Sequence, residues 1–508
     1  MTHRSAGSGL FLAALLTLAW GFAGCAHDVP DLAPDAVTDT VAGDVVEAAA
    51  DAAGEEATVD AAPDPAAEEA TVVPDPTPEP TPEPAPEVLE EVAPEVAAEV
   101  APEVSAEVGV PACGEGVWSN EAWAGEIWTG DPDAAVDPDA AVAPDAPPVF
   151  SRGPYLQNVG TDHATVIWRT LPVLADQGCV HYTPAGTELT QCADADSSGQ
   201  YLVRLTGLPA ATDVPYSVTT GTLQTEALTL HTAPADDAAP VRMLVFSDAH
   251  NNPEVLGPII GDGMADGVDM IVQIGDSVNS ADEPLLDTYY KTVDPLARRV
   301  CLWPTIGNHE GEGPAYYHAI DVPGAGQPPQ PNQYYSVRWG NVWFASLDEI
   351  DFAMTEFFLV DAPEVAWLRA ALQSEEAKTA KWRLLFIHQP PYFKGWGDCK
   401  VGGNPPDPGL KTVLMQVAVE NDVTAIFSGH MHGYAHGTVG GVQLFVTGGA
   451  GGGLDQYCDP VPDFPEPWTE LYVHHHLRVD AGCDTLTVDA IGMDGASIDQ
   501  VVMPYVPH

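Results

Sequence analysis

Five short apolar runs in the second half of this 508-residue chain each end on side chains that hold metal ions or move protons. Residues 242–246 run into Ser247-Asp248-Ala249-His250, and 269–274 into Gly275-Asp276. Residues 302–306 run into Gly307-Asn308-His309-Glu310, 383–387 into His388-Gln389-Pro390, and 423–427 into Ser428-Gly429-His430-Met431-His432. Carboxylates and imidazoles are ligands of hard and borderline divalent cations. An Asn carbonyl completes such a shell without adding charge, and one Asp carboxylate can be shared by two cations about 3.5–4 Å apart. Singly these pieces are ordinary: Gly-Asp is a routine turn, and a His-x-His pair falls on one strand face by chance. The specificity lies in five strand-end coincidences in one order. The chemistry that order suits is hydrolysis at a pair of metal ions.

Side chains at the carboxyl ends of buried strands meet where α/β sheets place their ligand sites. Amphipathic stretches separate the runs after Pro240, so residues 240–508 read as an α/β domain. Two predicted helices are 362–376, capped by Asp361 with Pro363 in the first turn, and 408–420. Residues 148–235 follow another pattern. Segments 165–169, 179–182, 200–205, 214–218 and 227–232 are short, rich in β-branched and aromatic residues, and separated by turn signals. That spacing predicts one Ig-like or fibronectin type III-like β-sandwich.

The chain carries 17 Lys and Arg against 75 Asp and Glu, a formal net charge of −58. Residues 1–150 hold one basic residue, Arg4, and 31 acidic ones. Both parts are acidic, so nucleic-acid binding is not expected, because a phosphate backbone selects a basic footprint. No apolar run of about 18–20 residues follows the N-terminus, which argues against a multispan membrane protein. Residues 1–24 have the marks of an export signal, a short basic start and an apolar stretch over 10–20. Phe22-Ala23-Gly24-Cys25 resembles the lipobox of bacterial lipoproteins. That resemblance implies acylation at Cys25 and an extracytoplasmic protein, lipid-anchored to a bacterial membrane, by analogy the outer membrane or cell surface. Residues 25–147 are rich in Pro, Ala, Asp, Glu and Val, with near-repeats such as Ala93-Pro94-Glu95-Val96 and Ala101-Pro102-Glu103-Val104. Like charge and frequent Pro predict a disordered, extended tether. One island, 112–129, carries Cys113, Trp118, Trp123 and Trp128 and no readable function.

The ordered set D-x-H, G-D, G-N-H-E, a strand-end His and G-H-x-H resembles the calcineurin-like metallophosphoesterase superfamily. His388-Gln389-Pro390-Pro391-Tyr392, Tyr434 just after His432, the Gly-rich Gly448-Gly449-Ala450-Gly451-Gly452 and segment 335–344 ahead of Asp348 are similar to its purple acid phosphatase branch. Arg152-Gly153-Pro154-Tyr155-Leu156-Gln157 followed by Trp168 is similar to the opening of the fibronectin-like domain that precedes such catalytic domains. The resemblance covers about Pro148 to the C-terminus. It implies an α/β fold, a four-layer αββα sandwich with late strands in 473–492 and 498–502, behind the β-sandwich and the tether. It also implies one ion on Asp248, His250, Asp276 and His432, and another on Asp276, Asn308, His388 and His430. Asp276 would bridge them. His309 would be a non-ligand, serving as general acid or phosphate-oxygen donor. The implied activity is hydrolysis of phosphoesters, as a phosphomonoesterase in the manner of acid phosphatases, with in-line attack by a metal-activated hydroxide.

Two departures from the branch matter. Purple enzymes carry Tyr at the position of Asn279 here, and usually D-x-G where this chain has His250. The resemblance therefore implies His250 in place of the tyrosine ligand, and divalent Fe, Zn or Mn in place of a ferric–tyrosinate pair. Ala435-His436 also replaces the Glu-Arg that often follows Tyr434. The alternatives are a phosphodiesterase or nucleotidase with the same site, and a surface binding or adhesion protein with an inert phosphatase domain. No expected ligand is missing, which weighs against the inert reading.

Cys179 and Cys192 flank a turn and form one candidate pair, and Cys399 and Cys458, both in Gly/Pro/Asp loops, form another. Export permits both bridges. Cys301, in an apolar strand, is expected to be a buried thiol. His474-His475-His476 looks like an extra metal site, but the period of a strand puts only the outer two on one face. The cluster is therefore expected on the surface or lining a cleft. Composition is silent on oligomeric state.

Overall fold

Val214, Tyr216 and Val218 are buried and alternate with more exposed neighbours, the period of a half-buried strand. Eight strands make the first part of the chain: β1 (Val149–Gln157), β2 (His163–Leu171), β3 (Gly178–Tyr182), β4 (Leu189–Ala193), β5 (Gln200–Thr206), β6 (Asp213–Thr220), β7 (Leu223–Gln224) and β8 (Leu228–His231). The computed structural model describes residues 147–507 apart from 236, 312, 325–333, 349–362, 394–408, 457–464 and 466. The export signal, Cys25, the tether, the Trp-rich island, Asp361, Cys399 and Cys458 lie outside the described residues. Among the described residues no helix is long and apolar enough to cross a membrane.

β1, β2 and β5 face a second sheet ordered β4-β3-β6-β7, with β8 on β6. Trp168, Val180, Tyr201, Val218 and Leu230 fill the space between. The expected Cys179–Cys192 disulfide joins directly opposed residues of β3 and β4.

The second part continues with β9 (Val241–Phe246), α1 (Pro253–Asp266), β10 (Met270–Ile274), α2 (Glu283–Ala297), β11 (Cys301–Thr305) and α3 (Pro314–His318). Then come β12 (Tyr335–Trp339), β13 (Val342–Ser346), α4 (Pro363–Leu372), α5 (Glu375–Lys378), β14 (Trp382–Phe386) and α6 (Met415–Glu420). The chain ends with β15 (Ala425–Ser428), β16 (Tyr434–Val439), β17 (Val442–Thr447), β18 (Trp468–Leu471), β19 (His475–Ala481), β20 (Thr485–Gly492) and β21 (Ser497–Pro504). The five apolar runs are thus β9, β10, β11, β14 and β15, and the late strands fall where expected.

Two sheets stack with helices outside. One has the order β21-β20-β19-β9-β10-β11-β1-β2-β5 and the other β12-β13-β14-β15-β17-β16-β18. Met243, Val245, Phe344, Phe386, Phe427 and Leu477 pack between them. Leu244 and Phe246 point the other way, onto Ile259 and Ile260 of α1. Trp343 and Leu385 likewise point outward, onto Leu368 of α4 and Val417 of α6. Strands buried on both faces read as continuous apolar runs, and that is what the sequence shows. The layers are αββα.

Three local readings are corrected. The first sheet does not stop at the boundary between 235 and 240: β1 pairs in parallel with β11, Leu156 opposite Cys301, so one nine-stranded sheet spans both parts. The helix predicted over 362–376 ends at Leu372 and restarts as α5, because the Ser374 side chain accepts from Ala377 N–H and caps a new N-terminus. The helix predicted over 408–420 opens with a π turn, Leu410–Leu414, before α6.

Candidate metal centre

The strand ends turn sharply. Asp248, His250, Asp276 and His430 have positive φ values of 60°, 47°, 54° and 67°. That region costs a non-glycine residue of order 1–3 kcal/mol and persists where the surroundings impose it. Gly275, with φ 75°, makes the turn after β10 possible, since a Cβ there would lie 2.5 Å from His388 Nδ1. A Cβ on Gly429 would likewise collide with Ser247 and Asp248.

These turns gather all seven residues expected to hold metal, together with His309. Asp248, His250 and His432 form one group, and Asp276, His388 and His430 another. Asp276 also groups with His250 and His309. Asp276 Oδ2 lies 3.2 Å from His388 Nε2, 3.7 Å from His250 Nε2 and 3.9 Å from His309 Nε2. Asn308 Oδ1 is 2.9 Å from His430 Nδ1 and 3.2 Å from His388 Nε2. Asp248 Oδ1 is 3.3 Å from His432 Nε2 and 3.8 Å from His250 Nε2.

This donor set fits divalent cations. His388 Nδ1–H donates to the Ile274 carbonyl at 2.8 Å, and His432 Nδ1–H to the Gly453 carbonyl at 2.7 Å. His250 Nδ1–H donates to Asn279 Oδ1 at 3.1 Å. Each bond orients its ring and turns Nε2 into the cluster. Those nitrogens face carboxylate and amide oxygens, and His250 Nε2 lies 3.1 Å from His432 Nε2. Asp248 Oδ1 is buried and has no hydrogen-bond partner. Carboxylate, amide and imidazole donors that converge in a buried place are stabilised by a positive charge, which a bound cation would supply.

Charge follows the same plan. Burial works to raise the Asp248 carboxyl, but His388, His250 and His432 overcome it and hold the group well below the usual carboxylate range. Asp276 is lowered too, with His388 prevailing over burial and the Asp248 charge. Burial and then His388 push His430 down to about 4.

Around these donors stand residues whose positioning role the sequence does not reveal. Glu310, the last residue of G-N-H-E, is buried beneath the turns. Its carboxylate accepts from the N–H groups of Asp276 (2.8 Å), Ser277 (2.7 Å) and Gly307 (2.9 Å), tying the β10 and β11 turns together. Burial and the nearby Asp276 charge raise its carboxyl. Asp455 accepts from His432 N–H at 2.8 Å. Asn279 accepts from His250, as above. His309 donates its backbone N–H to Asp276 Oδ1 at 2.8 Å and its Nδ1–H to the Asn279 carbonyl at 3.0 Å. Its side chain is 41% exposed, so Nε2 reaches the open side of the centre.

The triple histidine departs from expectation. His475 and His476 are both buried, and His474 precedes β19. His475 Nδ1–H donates to the Val473 carbonyl, Nε2 accepts from the Thr447 hydroxyl, and the ring meets Tyr434 edge-on. β19 is an interior strand covered on both faces at its start, so alternation does not expose either ring. None of the three belongs to a metal-holding group among the described residues.

Residues 241–434 match the family model of calcineurin-like phosphoesterases. Over 161 residues the chain is 26% identical to purple acid phosphatase 22 of Arabidopsis thaliana, covering 30% of this chain and 35% of the plant protein's length. The solved structure of purple acid phosphatase PPD1 from yellow lupin (Lupinus luteus) matches with a TM-score of 0.58 at 16% identity, covering 70% of this chain and 74% of the lupin chain. The structure of PhoD matches with a TM-score of 0.53 at 12% identity, covering 72% and 90%. These two likenesses show a common fold. Strand-end motifs, donor geometry and family match agree: this chain carries a calcineurin-like phosphoesterase domain, on a fold of the purple acid phosphatase and PhoD type.

Proposed function

We propose that the chain is an extracytoplasmic phosphomonoesterase, acid phosphatase-like, with two divalent ions of Fe, Zn or Mn. Asp248, His250, Asp276 and His432 would hold one ion, and Asp276, Asn308, His388 and His430 the other. The observation that carries this reading is the convergence of two donor groups on the one carboxylate of Asp276. When bound, such a pair lowers the pKa of water and offsets charge building on phosphate oxygens. The chain's own residues do the rest. The strained turns fix the donors before substrate arrives, and Glu310 holds two of those turns in register. His309 keeps Nδ1 engaged with Asn279 and turns Nε2 toward the open side, where a proton on it can pass to a departing oxygen. Acylated Cys25 and residues 25–147 would tether the domain to the outer membrane or cell surface.

Metal analysis of the purified protein, with a panel of phosphomonoesters, phosphodiesters and nucleotides, tests the reading. Two metal equivalents per chain and the highest kcat/KM on monoesters are expected. Preference for diesters would reassign the substrate class, and a metal-free chain inert on the whole panel would overturn the enzyme reading. Membrane fractionation of wild type against Cys25→Ser tests the anchor.

A further inference from the structure

Cys483 is disulfide-bonded, and its partner lies outside the described residues, since Cys179 pairs with Cys192 and Cys301 is a buried free thiol. Four cysteines remain as partners: Cys25, Cys113, Cys399 and Cys458. Strand polarity discriminates among them. β19 runs antiparallel to β9, with Ala481 opposite Val241. β9 delivers Asp248 at its far end, so Cys483 lies at the opposite pole from the metal centre, about 20–25 Å away at ~3.3 Å per residue. Cys458 follows Asp455, which is bonded to His432, by three residues, a reach of about 10 Å. The loop holding Cys399 leaves from Phe393 beyond the site end of β14 and returns at Gly409, ahead of the helical segment that leads back to the start of β15. To meet Cys483 it would have to run the length of the sheet twice.

The N-terminal segment is placed differently. Leu156 of β1 stands opposite Cys301, the first residue of β11, so Val149 projects further toward the pole of Cys483. Residues 130–148 span up to about 60 Å when extended, and five strand spacings separate β1 from β20, about 24 Å. Cys113 is within reach.

The same pole holds an apolar groove of about 500 Å³, lined by Lys381, Trp382, Val419, Val502, Tyr505 and Val506 among others. Val419, Val502 and Val506 are 43%, 55% and 69% exposed. Cys483 stands at its lip: Lys381 Nζ donates to the Cys483 carbonyl at 2.7 Å, Trp382 Nε1 to Gly482, and Tyr505 N–H to Asp484. We propose that residues 112–129 dock in this groove, pinned by a Cys113–Cys483 disulfide and seated by their indole side chains. Trp118, Trp123 and Trp128 are the first aromatic residues after Cys25, and buried aromatics carry the largest apolar payload of any side chain. Bond formation takes two electrons and two protons from the two thiols, passed by exchange to a disulfide-bearing oxidoreductase, which becomes a dithiol. The Cys179–Cys192 bridge is consistent with an oxidising compartment.

The test uses the full chain. Free thiols are alkylated, the protein is digested without reduction, and cross-linked peptides are read by mass spectrometry. A Cys113–Cys483 peptide is expected, and Cys483 joined to Cys25, Cys399 or Cys458, or found alkylated, overturns the proposal. Hydrogen exchange then reads the groove. Amides of residues 112–129 should exchange at least tenfold slower in wild type than in the exposed-site double variant Val502→Asp/Val506→Asp. Equal, unprotected exchange in both would show a bond without docking and overturn the seating.

Discussion

Asn279 grips His250 from two sides. Its Oδ1 accepts from the imidazole Nδ1–H at 3.1 Å, and its Nδ2 donates to the His250 carbonyl at 3.2 Å. An amide at this place orients the imidazole that we propose as a ligand. Asn279→Ala should weaken metal affinity or kcat/KM by roughly 10–100-fold, the usual worth of a group that orients a ligand. The melting temperature should barely move, because Asn279 is exposed. Native, iron-loaded protein should show no strong visible phenolate-to-iron band, and recording one would contradict the assignment of His250.

The proposed roles of Asp276 and His309 are separable by experiment. Asp276→Ala removes the shared carboxylate, so metal content and activity should fall together. His309→Ala should keep metal content near normal and cost roughly 10²–10⁴ in rate. The deficit should shrink for aryl phosphates, whose leaving groups need less protonation. Metal content by mass spectrometry and kcat against leaving-group pKa measure both. Loss of a metal ion from His309→Ala would make it a ligand, and a deficit equal for all leaving groups would make it a binder of phosphate oxygens.

Acid stability should carry the mark of two buried imidazoles. Burial holds His475 at about 4 and His476 at about 3, against about 6.5 in an unfolded chain. Between about pH 6.5 and 4 the unfolded chain binds protons that the folded one refuses. Stability from these groups is therefore full above 6.5 and lost as pH falls toward 4. His476→Leu removes one of the pair, so its loss between pH 7 and 5 should be smaller by of order 1–2 kcal/mol. Urea unfolding at the two pH values reads the difference, and an unchanged loss would assign the acid limb to other groups.

A chain beginning near Val149 should keep full specific activity, since β1 enters at the pole away from the metal centre. It leaves Cys483 without its partner and the groove bare, so its melting temperature should fall while kcat holds. A large drop in kcat would tie the N-terminal segment to the chemistry.

The clustered donors were legible because each ends a run buried on both faces, so that Asp248, Asp276, Asn308, His388 and His430 stand out against Val, Ile, Leu and Phe. The supporting contacts were not. Asn279 matters only because the turn after β10 comes to rest against the turn after β9, and Glu310 only because three N–H groups from two turns converge beneath the site. The pairing of β1 with β11 joins residues some 145 positions apart, Leu156 and Cys301, and leaves no local pattern. His475 and His476 misled for a related reason: period-two alternation says which face a ring takes, not whether that face is covered.

That continuous sheet restricts how the molecule can move. β1 sits between β2 and β11, and the ion pairs follow the same seam. Arg152, fully buried, donates to Asp287 at 3.1 Å, Glu283 at 2.8 Å and Gln200 at 2.9 Å, while Arg169 donates to Asp287 at 2.5 Å. Domain closure about a hinge, a common way to enclose a substrate, needs a seam where few bonds cross. Here the backbone ladder itself crosses it. The β-sandwich is thus a buttress to the catalytic sheet rather than a hinged lid, because it shares a strand pairing and buried ion pairs with that sheet.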